Sequence, residues 1–91
     1  MVSIIENRAI ISGKIVSVRE KADARGFVEV VFQLAGAGNF EGYPNLAKDD
    51  EGKEIRVRMQ KAYLERSGMK KGDTAELPVR KAFGQIYFVQ E

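Results

Sequence analysis

Hydrophobic and polar residues alternate along several short stretches of the chain, with the two-residue period of β-strands. The alternation is clearest in residues 27–34, FVEVVFQL, where Val28 and every second residue after it is apolar. Residues 53–59, KEIRVRM, repeat the pattern with charged residues between the apolar ones. Both segments are therefore predicted to be strands with one face in the core. The predicted core residues of these two strands are Val28, Val30, Phe32, Leu34, Ile55, Val57 and Met59.

A longer strand is predicted for residues 8–19, RAIISGKIVSVR, because they are rich in Ile and Val. Gly13 lies inside this segment, and an isolated glycine within a strand pattern indicates a bulge or a tight bend. We therefore expect the first strand to change direction near Gly13.

Two further strands are predicted near the end of the chain, in residues 74–83 and 85–89. Adjacent residues of a strand point to opposite sides of the sheet. We expect Ile86 and Phe88 to face the core, and this orientation would leave Tyr87 exposed.

Two segments lack the strand pattern. Residues 60–67, QKAYLERS, are good helix formers followed by Gly68, which suits the left-handed position that ends a helix. Residues 35–52 contain four of the nine glycines and have no periodic pattern, so they are predicted to form a long Gly-rich loop. We expect this loop to pack on the rest of its own domain or on a partner; the alternative is that its aromatic residues, Phe40 and Tyr43, fold over a bound ligand.

The composition narrows the range of functions. Ninety-one residues predict a single domain covering 1–91. The chain has no Cys and no His, so it lacks thiolate ligands, the commonest zinc ligand and the commonest general base. We therefore expect a protein that is not an enzyme and that uses no cofactor and no metal.

The beginning of the chain and its apolar runs bear on localisation. The N-terminal residues lack the basic and apolar regions of a signal peptide, and no apolar run is long enough to cross a membrane. A cytoplasmic protein without a membrane partner is expected.

Charge is distributed unevenly along the chain. The formal net charge is +2, but residues 39–54 carry −3 and residues 55–91 carry +4. The C-terminal part is therefore electropositive, and this charge permits contact with nucleic acid without requiring it.

The predicted order of elements is strand, strand, strand, short helix, strand, strand. This order resembles the OB-fold, an all-β, five-stranded Greek-key barrel with one short helix. The resemblance implies that the glycine-bent first strand pairs on both sides of the barrel and that the helix closes one end of it.

Two short motifs resemble the single-stranded-DNA-binding branch of OB-fold proteins. Residues 7–13, NRAIISG, match the opening of its first strand, and residues 69–73, MKKGD, match its turn into the fourth strand. The resemblance implies a protein that binds single-stranded DNA largely without sequence preference, in replication, recombination or the handling of phage or plasmid DNA. A homo-oligomer is also expected, because one copy with a net charge of +2 would bind weakly.

Three other functions fit the same fold. The first is RNA binding of the translation-factor type, and the second is protein interaction without nucleic-acid binding. The third, binding of an oligosaccharide or a small ligand, has less support in the sequence.

An OB barrel binds single strands across the outer face of its second and third strands, between the loops that join strands one to two and four to five. Such binding needs cations along the nucleic-acid backbone and aromatic rings on which bases stack. Arg56 and Arg58 share the outer face of the third strand, and Phe and Tyr must do the stacking because Trp is absent. The predicted nucleic-acid-binding residues are Lys14, Phe27, Arg56, Arg58, Arg80, Lys81, Phe83 and Tyr87.

The outer face of the second strand carries little charge. Phe27, Val31 and Gln33 share it with Glu29, whose carboxylate would repel phosphate. This face is predicted either to stack bases or to contact another subunit.

Overall fold

Five strands close into a barrel in the computed structural model of the chain, which describes residues 6–19 and 21–90. Around the barrel the strands follow the order β1, β2, β3, β5, β4, and β4 returns to pair with β1. All pairs are antiparallel except β3 with β5. The elements are β1 (Ala9–Arg19), β2 (Phe27–Asn39), β3 (Glu54–Gln60), α1 (Lys61–Ser67), β4 (Thr74–Phe83) and β5 (Ile86–Val89), with a 3₁₀ turn at Lys48–Asp50. The predicted all-β barrel with one short helix is confirmed.

The first strand bends where its glycine lies. The pairing of β1 with β2 shifts register between Ser12 and Gly13, and β1 pairs with both β2 and β4 in this region. A Cβ atom on Gly13 would stand 2.0 Å from the Gln33 carbonyl oxygen and 2.8 Å from Cε2 of Phe32. Only a residue without a side chain allows β2 to approach this closely, so the predicted role of Gly13 is confirmed.

The interior of the barrel is filled by the residues that the alternation selected on β2 and β3. Of these, Val30, Phe32, Leu34 and Val57 have no exposed surface, and the others are at most 1% exposed. Burial of apolar surface is the main favourable contribution to folding. The other buried hydrophobic residues are Ala9, Ile11, Ile15, Ala37, Ala47, Leu64, Leu77, Val79 and Tyr87.

The predicted orientation of the last strand is wrong. Tyr87 has no exposed surface, whereas Ile86 and Phe88 point outward and are half-buried. Tyr87 lies opposite Val57 of β3, whose side chain is inside the barrel. The strand sequence IYFV is apolar on both faces, so its pattern does not distinguish the two orientations.

The predicted loop at 35–52 is shorter than expected. β2 continues to Asn39, because residues 36–39 pair with the first half of β1. The rest of the segment packs on one end of the barrel, where Ala47 is 1% exposed. The Arg8 guanidinium carbon lies 5.3 Å from the ring centre of Phe40 and 5.0 Å from that of Tyr43. These cation–π contacts hold the residues that follow β2 against Arg8, the residue before β1.

The short helix α1 leads from β3 to β4. It buries Leu64 and ends at Gly68, whose φ of 69° is in the left-handed region. Among residues 6–19 and 21–90, no helix has the length and apolar composition needed to cross a membrane.

Candidate nucleic-acid interface

The strand register assembles a continuous surface on the outside of the barrel. Glu29 of β2 lies opposite Arg58 of β3, Arg58 opposite Phe88 of β5, and Phe88 opposite Arg80 of β4. This row therefore crosses four neighbouring strands, and the next row contains Val31, Arg56 and Ile86. We call this surface the outer face; it comprises Phe27, Glu29, Val31, Arg56, Arg58, Arg80, Ile86 and Phe88.

Two phenylalanines pack against each other on the outer face. The rings of Phe27 and Phe88 meet edge to face, with centroids 5.6 Å apart and planes at 83°. The Arg80 guanidinium carbon lies 5.2 Å from the centre of the Phe88 ring. Both rings are half-buried, so they are held in place while part of each remains accessible.

Phe88 and Ile86 belong to this surface, although the sequence pattern predicts both in the core, because the orientation of β5 is the reverse of the predicted one. The missing information is that Tyr87 finds a hydrogen-bond partner inside the barrel, a condition that most buried tyrosine hydroxyls meet. That partner, Asp50, is distant in sequence and gives no local signal.

The two predicted arginines of β3 point outward as expected, but they differ in their surroundings. Arg56 is exposed between Val31 and Ile86, and it forms no ion pair with any residue in 6–19 or 21–90. Arg58 is more restrained, since its Nε lies 3.5 Å from Oε1 of Glu29. The carboxylate that was expected to repel phosphate is therefore partly compensated by Arg58.

Depressions lie at both ends of the outer face. One, of about 270 Å³, is lined by residues that include Arg19, Lys21, Phe27, Glu29 and Arg58. The other, of about 390 Å³, is lined by Val31, Glu54, Ile55, Arg56, Gln85 and Ile86. Arg19 and Lys21 add two cations that are not among the residues predicted from the sequence.

The connections that flank the outer face are tied to the two ends of β3. The N–H of Lys61 donates to the carbonyl of Gly26 at 3.0 Å, which anchors the β1–β2 connection just after β3. The N–H of Arg56 donates to the carbonyl of Gln85 at 2.9 Å, which anchors the β4–β5 turn near the start of β3. A chain lying along β3 would therefore meet one connection at each end.

The β1–β2 connection is itself shaped by a carboxylate. Oδ1 of Asp23 accepts hydrogen bonds from the N–H groups of Phe27 at 3.0 Å and Arg25 at 2.8 Å. The hydrogen bond from Phe27 and, to a smaller extent, the one from Arg25 hold the pKa of Asp23 below its ordinary value. The position of Phe27 at the start of β2 is thus set partly by this turn.

Two predicted site residues, Lys81 and Tyr87, lie away from the outer face. Both contact Asp50, which is 4% exposed. The Lys81 ammonium lies 2.9 Å from Oδ2 of Asp50, and the Tyr87 hydroxyl donates to the same oxygen at 2.5 Å. The prediction that Tyr87 is exposed for stacking is wrong, because its ring fills the barrel and its hydroxyl binds Asp50.

The surroundings of Asp50 keep it ionised. Burial alone would raise the pKa of its carboxyl, but the hydrogen bonds from Tyr87 and Lys81 outweigh burial and keep the pKa below its ordinary value of 3.8. Burial, together with the hydrogen bond to Asp50, raises the pKa of Tyr87. This cluster therefore joins the 3₁₀ turn to β4 and β5 and has a structural role.

The last two predicted residues differ: Phe83 lies at the margin of the outer face, and Lys14 lies outside it. Phe83 ends β4 opposite Ile86 and is 64% exposed, so its ring extends the outer face at the β4–β5 turn. Lys14 is exposed on β1, between Gln33 of β2 and Thr74 of β4. It lines a separate groove of about 550 Å³ and does not join the outer face.

Within the described part of the chain, no three His, Cys, Asp or Glu side chains are grouped so that they could hold a metal ion. Comparison of the chain with protein-family models, curated proteins and solved structures finds no match. The function is therefore inferred from the residues of the outer face and their geometry.

Proposed function

We propose that the chain binds single-stranded nucleic acid, single-stranded DNA foremost, across its outer face and without catalysing a reaction. The observation that carries the proposal is Phe88, a half-buried ring opposite both Arg58 and Arg80, which packs edge to face with Phe27. Aromatic rings flanked by arginines are the combination that binding of single strands requires.

The proposal includes membership of the single-stranded-DNA-binding branch of OB-fold proteins. Its support is the closed five-strand barrel, the parallel pair of β3 and β5, and the bend of β1 at Gly13. The two connections at opposite ends of β3 correspond to the loops that flank the ligand in OB folds.

In the proposed complex, aromatic rings would contact the bases and arginines would contact the phosphates. Bases would stack on Phe27, Phe88 and the exposed Phe83, and each stacked base is worth about 1–3 kcal/mol. Arg56, Arg58 and Arg80 would neutralise phosphates. With about three to five phosphates neutralised, the slope of log K against log salt is expected to be about −2 to −4.

The test is a titration of fluorescent dT and rU oligomers of about twelve nucleotides, followed by anisotropy at two salt concentrations. We expect Phe88→Leu, which keeps an apolar side chain, to weaken dT binding at least about fivefold. Arg56→Ala/Arg58→Ala should weaken it further and make the salt slope shallower by about 1.4, because two phosphates lose their cations.

The matched control removes two cations elsewhere. Lys70 and Lys71 lie in the turn before β4, which is tied to β1 because the N–H of Gly72 donates to the carbonyl of Ile15 at 2.8 Å. Lys70→Ala/Lys71→Ala should leave most of the affinity intact. Unchanged binding by the Arg56/Arg58 variant would refute the outer face as the site, and a wild-type protein that binds neither oligomer at low salt would refute the proposal.

A protein-interaction module is the second candidate, and Val31 and Ile86 favour it because they add apolar surface beside Phe88. This candidate predicts no oligonucleotide binding even at low salt. RNA binding of the translation-factor type predicts tighter binding to structured RNA than to dT.

We further propose that the protein acts in the cytoplasm as a homo-oligomer. One copy offers few cations, and linking copies would raise the affinity for a long strand through multivalency. Size-exclusion chromatography with light scattering tests the assembly, and a monomer of 10.2 kDa at high concentration would refute it.

A further inference from the structure

We propose that the outer face discriminates among bases and favours those that carry an exocyclic amino group, cytosine over thymine, because Glu29 reads that group. The inference rests on the proposed binding of single strands. It replaces the expected absence of sequence preference with a specific preference among the pyrimidines.

Glu29 is enclosed on the outer face by cations and an aromatic ring. It lies opposite Arg58 on one side and Arg19 on the other. Its side chain is only 15% exposed, and together with Phe27 it lines the depression of about 270 Å³. A carboxylate in this position repels phosphate and so lowers the affinity of the surface for nucleic acid. A role in recognising bases would explain its presence there.

One oxygen of this carboxylate remains available to a ligand. Oε1 accepts from Nε of Arg58 at 3.5 Å, and Oε2 accepts no hydrogen bond from residues 6–19 or 21–90. In the same part of the chain, no fully buried side-chain oxygen or nitrogen lacks a hydrogen-bond partner. Oε2 is therefore in contact with solvent, where a ligand can reach it.

The spacing along β2 suits a base that stacks and bonds at once. Phe27 and Glu29 are two residues apart on one face of the strand, so about 7 Å separate their Cα atoms. A base stacked on the Phe27 ring would therefore present its edge to Glu29.

The chemistry of the carboxylate decides which bases it accepts. An ionised carboxylate only accepts hydrogen bonds. Cytosine offers the N4 amino group as a donor, whereas thymine carries the O4 carbonyl at that position, which the carboxylate would repel. Both are pyrimidines, so stacking on Phe27 contributes little to the difference.

The test compares dC and dT oligomers of about twelve nucleotides at neutral pH and one salt concentration. The wild-type protein is expected to bind dC at least about fivefold more tightly than dT, which corresponds to one discriminating base contact. In Glu29→Gln the ratio should approach one, because an amide can also donate to O4. Affinity for dT should rise, because the carboxylate that repels O4 is removed.

Glu76→Gln is the matched control. Glu76 is exposed on β4 opposite Ser12, away from the outer face. Its replacement by Gln changes the net charge by the same amount as Glu29→Gln. This variant should keep the ratio of the wild-type protein. A ratio that falls equally in both variants would overturn the role of Glu29.

A modified oligomer tests the same contact with the wild-type protein, so the result does not depend on whether a variant folds. Oligomers with 2-pyrimidinone in place of cytosine lack the amino group, and the wild-type protein should bind them less tightly than dC by about the same factor of five. Equal affinity for dC, dT and the 2-pyrimidinone oligomer would overturn the inference and leave the proposed function intact. Absence of binding to all three at low salt would overturn the proposed function itself.

Discussion

Replacing Tyr87 by Phe removes one hydroxyl from the interior of the barrel and leaves the ring in place. The hydroxyl donates to Oδ2 of Asp50 at 2.5 Å, and Asp50 is 4% exposed. The variant therefore loses one hydrogen bond to a buried carboxylate and creates almost no cavity. Lys81 remains as a partner of the same oxygen at 2.9 Å.

A hydrogen bond to a charged group contributes about 1.5–3 kcal/mol, so we expect Tyr87→Phe to lower the free energy of unfolding by about 2 kcal/mol. For a domain of this size the melting temperature should fall by about 8–16 °C. Urea unfolding at neutral pH, followed by circular dichroism, measures the difference. Tyr63→Phe on α1 is the control, since the Tyr63 hydroxyl bonds to none of the residues that the structure describes; it should change stability by less than about 0.5 kcal/mol.

The difference between wild type and Tyr87→Phe should depend on pH. The folded protein holds the pKa of Asp50 below its ordinary value of 3.8, so the stabilisation is complete above 3.8 and is lost as the pH falls through the lower, folded value. The difference should therefore be smaller at an acidic pH well below 3.8 than at neutral pH. A loss of less than about 0.5 kcal/mol at neutral pH, or an equal loss at both pH values, would refute the assigned role of the hydroxyl.

Three further variants test other parts of the structure. Gly13→Ala should destabilise the fold by about 2–3 kcal/mol in urea unfolding, because its Cβ would overlap the Gln33 carbonyl oxygen; a loss below about 0.5 kcal/mol would contradict the close approach. Asn7→Ala should lower the free energy of unfolding by about 2 kcal/mol in the same assay. The Asn7 side-chain amide accepts a hydrogen bond from the backbone N–H of Lys81 at 2.8 Å and donates one to the backbone carbonyl of Lys81 at 3.0 Å. Unchanged stability would show that water replaces the amide. Phe83→Ala should leave stability within about 0.5 kcal/mol, because the ring is 64% exposed, yet weaken dT binding at least about fivefold; unchanged affinity would exclude Phe83 from the interface.

Much of the candidate interface is predictable from local pattern alone. Arg56 and Arg58 alternate with apolar residues in β3, and burial of one face forces them to the other. Phe27 follows from the same argument on β2. The two basic residues Arg19 and Lys21 were not predicted, because only the pairing of β1 with β2 brings them beside Phe27.

The orientations of the Phe88 and Lys81 side chains are not predictable from the local pattern. For a side chain near a turn, or on a strand that is apolar on both faces, the local sequence does not predict which side of the sheet it occupies. Contacts with residues distant in sequence determine that side. Lys81 points to Asp50, about thirty residues earlier in the chain, and so is withdrawn from the outer face. Phe88 moves outward because its neighbour Tyr87 takes the interior position.

By itself the sequence determined the order of the strands and the helix along the chain, the inward faces of β2 and β3, and the bend at Gly13. Each of these follows from a period-two pattern with one buried face or from the absence of a side chain. Only the tertiary structure decided the orientation of β5 and the extension of β2 to Asn39. The physical reason is that both depend on partners far along the chain: Asp50 satisfies the Tyr87 hydroxyl inside the barrel, and the first half of β1 pairs with residues 36–39.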